Sequence, residues 1–117
     1  MKIVVAPDSF KGTMSAVEVA NIICETGKKE YQNLQFVSLP VGDGGEGTME
    51  CLIAACNGKK NSLMVEGPLG EQVEAHYGIL PDQTAILEMA EASGLNLLRP
   101  EQYNPMKTST YGTGQLL

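Results

Sequence analysis

"LQFVSLPVGDGGEGTMECLIAAC", Leu34 to Cys56, is the passage on which the fold turns. Leu34 to Leu39 is rich in apolar and β-branched residues and reads as a strand. Met49, Leu52, Ile53 and Cys56 recur at i, i+3, i+4 and i+7, one face of a helix, with Gly58 placed to stop it. Between them lies Pro40 to Thr48, a loop rich in glycine. Such a loop, opening onto a helix N-terminus, lets an anion approach the backbone. Asp43 and Glu46 within it repel one. The ligand of such a loop must therefore tolerate both.

Strand, loop and helix already occur once upstream. Lys2 to Ala6, "KIVVA", reads as a buried strand ended by Pro7. After the loop "PDSFKGTM", Ser15 stands three residues ahead of Glu18, the signature of a capping box. Ala16, Val19, Ala20, Ile23, Cys24 and Gly27 then mark one face of a helix reaching to about Lys29. Strand, helix, strand, helix at this spacing predicts βα units and a parallel sheet. Both loops then fall at the carboxyl ends of strands, where open α/β sheets bind ligands.

Downstream of residue 60 the pattern changes. "GPLGE" sits between two strand-like runs and predicts a hairpin, and Val73, Ala75, Tyr77 and Ile79 alternate as on a half-buried strand. Thr84 to Ala90 predicts a further strand, and "EASGLNLLRPEQYNP" a loop with one helical turn. "TSTYGTGQLL" is another glycine-rich loop followed by the first residues of a helix. The expected organisation is thus an α/β part over residues 1–66 and the beginning of a second part with antiparallel strands over residues 67–117. A helix with hardly one turn before the last residue leads to the expectation that the chain is the front part of something longer.

With 43% hydrophobic and 19% charged residues, the composition is that of a globular protein rather than a disordered one. A net charge of −6 lacks the basic footprint of a nucleic-acid binder. No apolar run reaches the length of a membrane span and the N-terminus lacks the pattern of a signal peptide, so the expected location is the cytoplasm. Cys24, Cys51 and Cys56 form no CxxC pair and are expected to be free thiols acting as small buried hydrophobes. The methionines are read as packing.

Three loops carry the polar chemistry: Pro7 to Thr13, Pro40 to Thr48 and Thr108 to Gly114. Gly42, Gly44 and Gly47 satisfy GxGxxG, with Glu66 at the distance of a ribose-binding acid. The loop follows the second strand, however, and Asp43 and Glu46 beside a pyrophosphate have nothing to neutralise them. Phosphoryl transfer to an alcohol suits the residues better. It needs metal ions against phosphate charge and an acid to orient or deprotonate the hydroxyl. Asp43 is the first candidate for that acid. Glu46 is either a ligand-facing group or a favourable acid near the helix start. Lys11 is a cation for a phosphate or carboxylate, or an ordinary surface lysine. Asp8 and Ser9 either bind ligand or close their turn. His76, the only histidine, has no acid partner at ligand spacing and is read as a solvent-facing strand residue.

"APDSFKGTMSAVEVA", "LPVGDGGEGTME", "GPLGEQVEAHYGIL", "LEMAEASGL" and "NPMKTSTYGTGQLL" together resemble, in order, the motifs of the bacterial glycerate kinases. Gly42 stands where alanine is common and Gln115 where glutamate is usual. The resemblance covers about the first third of a family member. It implies a flavodoxin-like parallel-sheet α/β domain, incomplete here and built from both chain ends, with a second α/β domain inserted. It also implies phosphorylation of D-glycerate by ATP with Mg²⁺, at the 2- or 3-hydroxyl.

Under that resemblance Asp43 coordinates Mg²⁺ or orients the glycerate hydroxyl. Gly44, Gly45 and Gly47 expose amides, with Glu46 and Thr48 beside them. Asp8, Ser9 and Lys11 meet the glycerate carboxylate or a phosphate. Thr110, Gly112, Thr113 and Gly114 line an interdomain cleft. The 117 residues alone are expected to be inactive, and to form a homo-oligomer or associate with a carboxyl-terminal part. The rival readings are a non-catalytic remnant that binds an anion or a partner chain, and a dinucleotide-binding module. Glycerate-dependent ADP release, binding without turnover, and flavin or nicotinamide binding distinguish the three.

Overall fold

The four residues of β1, Lys2–Val5, and of β2, Gln35–Ser38, pair in parallel with Ile3 opposite Phe36 and Val4 opposite Val37 in a computed structural model that describes residues 1–117. Parallel strands need a crossover, and α1, Ala16–Glu30, supplies it. The capping box is formed: Glu18 N donates to Ser15 Oγ at 3.2 Å, and Ser15 N donates to Glu18 Oε2 at 2.8 Å. Val5, Ala20 and Cys24 form a small core with Ile3 and Phe36 against it. Ile23, expected on the buried face of α1, is exposed.

α2 covers Thr48–Cys56 and ends on Asn57, whose φ of 55° and ψ of 41° turn the chain in the left-handed region. Its N-terminal half is the part that packs. Met49 and Cys51 are buried, whereas Leu52 and Cys56 are exposed, so the expected stripe is only half right and Cys56 is not a buried thiol.

The chain then enters a separate antiparallel sheet of order β3-β4-β5, with β3 at Lys59–Glu66, β4 at Gln72–Ile79 and β5 at Ala85–Leu87. The expected hairpin is present, its register running from Lys59 opposite Ile79 to Glu66 opposite Gln72. The change from parallel to antiparallel pairing falls between Cys56 and Lys59. β5 is shorter than the run Thr84 to Ala90 predicted. It pairs only from Ala85 to Leu87, and the helix-favouring residues after it form α3, Met89–Ser93.

α4, Tyr111–Leu116, packs on β3 and α3. Gly112 makes this possible, because a Cβ there would overlap the Glu66 carbonyl oxygen. Val65, Ala75 and Ala92 form the second core, with Val73 and Leu116 against it. Two sheets and four helices make an α/β molecule with one parallel and one antiparallel sheet, as expected. No helix is long and apolar enough to cross a membrane.

Candidate active site

The first two loops meet where α1 and α2 begin, around a cleft of about 300 Å³. Of the residues singled out from the sequence, Ser9, Lys11, Glu46 and Gly47 line it. Phe10 and Met14 pinch the first loop by mutual backbone hydrogen bonds, Phe10 N to Met14 O at 2.9 Å and Met14 N to Phe10 O at 3.1 Å. That loop thereby presents Lys11 at its tip. Asp8 closes its turn, its Oδ1 accepting from Ser9 N at 2.7 Å. Val41 N donates to Pro7 O at 3.0 Å, tying the second loop to the start of the first.

The glycine loop is ordered by its own polar groups. Asp43 Oδ1 accepts from Gly45 N at 2.8 Å, leaving Oδ2 without a partner in the chain. Gly44 N donates to Thr48 Oγ1 at 3.0 Å. Gly47, in the left-handed region with φ of 90°, is the N-cap of α2 and brings no side chain to cap it. Glu88 does so from the end of β5, with Oε1 accepting from Gly47 N at 2.8 Å and Oε2 from Met49 N at 3.0 Å. A carboxylate there complements the helix dipole, and each such charge-assisted bond is worth about 1.5–3 kcal/mol. The amides of Gly44, Gly45 and Gly47 are thus engaged within the chain. The expectation that they stand exposed does not hold in this arrangement, because Thr48, Asp43 and Glu88 satisfy them first.

Three further acids, Glu18, Glu50 and Glu91, complete the cleft wall. The Ser15 amide, and then its hydroxyl, hold the Glu18 carboxyl below its ordinary value. Glu50 is drawn to Lys60 at 3.2 Å. Glu91 Oε2 takes the backbone N–H of His76 at 2.9 Å and approaches its Nδ1 at 2.8 Å. His76 is therefore half-buried and paired, not a solvent-facing residue. Its acid partner lies fifteen positions away on α3, beyond the reach of spacing arguments. The third loop is not part of this cleft. Gly112 lies on β3, and Thr113 Oγ1 meets Ser93 Oγ at 2.7 Å, while Thr110 and Gly114 belong to the same helix and its cap.

Glu88 and Glu91 carried no weight in the sequence reading. A signal existed: Glu88 interrupts the apolar run "AILEMA", and an acid in a run destined for burial requires donors.

Two glycine- and acid-bearing loops at the carboxyl ends of parallel strands, facing one lysine, define an α/β protein with a polar ligand cleft at its strand ends. The chain belongs to the glycerate kinase family, whose model matches residues 3–117. It is 50% identical over 119 residues to a glycerate kinase of Haemophilus influenzae and 50% identical over 118 residues to the glycerate 2-kinase of Escherichia coli. Both matches take in 100% of this chain and 31% of the relative. A crystal structure described as a glycerate kinase 2 of Salmonella typhimurium superposes with a TM-score of 0.79 at 45% identity, over 99% of this chain and 31% of that one. The chain therefore spans about 31% of the length of the relatives it matches.

Proposed function

We propose that the polypeptide carrying these residues transfers the γ-phosphoryl group of ATP to a hydroxyl of D-glycerate. The observation that carries this reading is the family match along residues 3–117, which includes both cleft-forming loops. The name of the Escherichia coli relative favours the 2-hydroxyl as acceptor. The boundary expected between residues 66 and 67 would divide the β3–β4 hairpin; in this reading the parallel part through α2 belongs to one domain, and the antiparallel sheet that begins with β3 at Lys59 opens a second.

Lys11, at the tip of the first loop, offsets the negative charge of a bound carboxylate or phosphate, with Ser9 beside it. The rest of the cleft wall is acidic, so a polyanion requires a cation to enter. Asp43 is not among the residues that line the cleft, but it stands three positions before Glu46 with one carboxylate oxygen uncommitted, which fits the role of a single protein ligand to Mg²⁺. No group of three metal-ligating side chains stands together in the chain. Mg²⁺ is ordinarily held by one or two carboxylates together with the phosphates themselves. The ion would supply neutralisation of phosphate charge; the free oxygen of Asp43 would either hold that ion or orient the attacking hydroxyl. Asp8, Glu46, Thr48 and the glycines shape the loops around them. Of the residues expected to wall a cleft between domains, Thr110 and Gly114 are exposed and keep that role in this reading, whereas Gly112 is buried against β3 and Thr113 is bonded to Ser93.

Asp43→Asn separates these roles from folding, because asparagine keeps the Oδ1 acceptor for the Gly45 amide. Turnover in a coupled assay of glycerate-dependent ADP release is expected to fall by about 10²–10⁴, with an unchanged circular dichroism spectrum. Near-normal turnover would remove Asp43 from the mechanism. Anion binding without turnover in the unsubstituted protein would instead favour a non-catalytic binding chain.

A further inference from the structure

The helix that follows the glycine loop is capped by the residue that comes directly after the last strand of the other sheet. Glu88 leaves β5 one position after Leu87, the last residue of that strand paired with β4, and directly before α3. It is only 6% exposed, and both of its oxygens are committed, one to Gly47 N and one to Met49 N. No other side-chain hydrogen bond links the loop Pro40–Thr48 to the antiparallel sheet. Glu88 borders the cleft, yet each of its oxygens is held by a backbone amide at the start of α2, so its geometry is tied to that of the loop.

We propose that Glu88 is a positioning residue for the glycine loop: by bonding the amides of Gly47 and Met49 it fixes where Asp43 and Glu46 stand relative to Lys11. Two N–H groups side by side require two acceptors on one side chain. Glutamate supplies them. Glutamine offers one acceptor and turns an NH₂ group towards the other amide, and aspartate keeps the charge but is one methylene short. The consequence for turnover rests on the kinase reading, whereas the amide bonds do not.

The test uses the natural polypeptide that carries these residues. In the unsubstituted protein, amide hydrogen exchange at Gly47 and Met49 is expected to be at least about tenfold slower than at Glu46, whose amide has no partner in the chain. In Glu88→Gln that protection is lost at one or both amides. A loop displaced by a fraction of an ångström lowers kcat by about 10- to 100-fold, with the KM for glycerate moving less than about threefold. Glu88→Asp does not restore kcat. A role in stability alone would lower the melting temperature and leave kcat intact below it, and that result overturns the proposal. Full activity in Glu88→Asp overturns it as well, since charge and not reach would then matter. Should the variants fail to fold, exchange in the unsubstituted protein decides: Gly47 and Met49 as fast as Glu46 means no latch exists. Absence of turnover in the unsubstituted protein defeats the kinase reading instead, and the exchange measurement still decides whether Glu88 holds the loop.

Discussion

Cys51 lies against the acidic wall of the cleft, and its thiol is pushed above its ordinary value of 9.0, first by burial and then by the negative charges of Asp8, Glu50 and Glu88. The thiolate is the reactive species, so Cys51 is protected twice, by access and by protonation. Cys24, in the core beneath β1, is protected by burial. Cys56, at the exposed end of α2, is not. Brief alkylation at mildly alkaline pH followed by mass mapping is expected to label Cys56 at least about tenfold faster than the other two. Equal labelling of Cys51 would mean that the cleft wall opens and that Asp8 and Glu88 do not crowd it. The same residue scale explains why the site was only partly legible. Asp43, Lys11 and Ser9 advertise themselves within their own loops. Glu88 and Glu91 act on partners 15 to 41 positions away, Glu91 on His76 and Glu88 on Met49 and Gly47, and no local spacing reveals such a pair.

Among the elements, α1 was the most legible because its start is encoded by two neighbours, Ser15 and Glu18, and its face by a repeat of 3.6. That start is also pH-sensitive. Glu18 accepts the Ser15 amide only well as a carboxylate, so its folded-state value lies below the ordinary 4.5. A depressed carboxylate contributes stability above its unfolded value and loses it as pH falls through the folded one. Glu18→Gln is therefore expected to lower the melting temperature at about pH 6 to 7, with the difference from the unsubstituted protein vanishing below about pH 3. A difference that persists in acid would place the effect in side-chain packing rather than charge. α2 and β5 were less legible for one shared reason. The period of α2 names a face, but only its first turns meet β4, where Ile53 lies against Gly78, so Cys51 is buried and Cys56 is not. β5 stops at Leu87 because Glu88 turns to cap α2, a tertiary demand that overrides the strand-like run.

The whole molecule is larger than its residues require. Its radius of gyration is 17.0 Å, against about 13–14 Å for a compact domain of this length. The accessible surface is 7809 Å², about 1,600 Å² more than a folded monomer of this mass presents. That excess is about twice the ~800 Å² that each partner contributes to a standard protein–protein interface. Part of it is apolar and contiguous: Ile3, Ile22, Ile23, Tyr31, Leu34 and Phe36 surround a groove of about 540 Å³ along α1 and the parallel sheet. With two strands only, that sheet has two open edges as well. Only 16 of 117 residues are buried, so neither small core is large enough to offset the entropy of ordering the chain. The isolated 117-residue polypeptide is therefore expected to self-associate, and to elute above its 12.5 kDa in size-exclusion chromatography with light scattering. Its thermal transition should be broad, because two small cores joined through α2 and Glu88 have little to make them melt together. Replacing Ile22 and Ile23 with serine separates the causes. If the groove drives association, the doubly substituted chain shifts towards monomer without gaining a sharper transition. If the open edges drive it, the substitutions leave the assembly unchanged. A wild-type chain that is monomeric at about 100 μM and melts in one sharp step would show that the two cores suffice, and the excess surface would then be an ordinary solvated one.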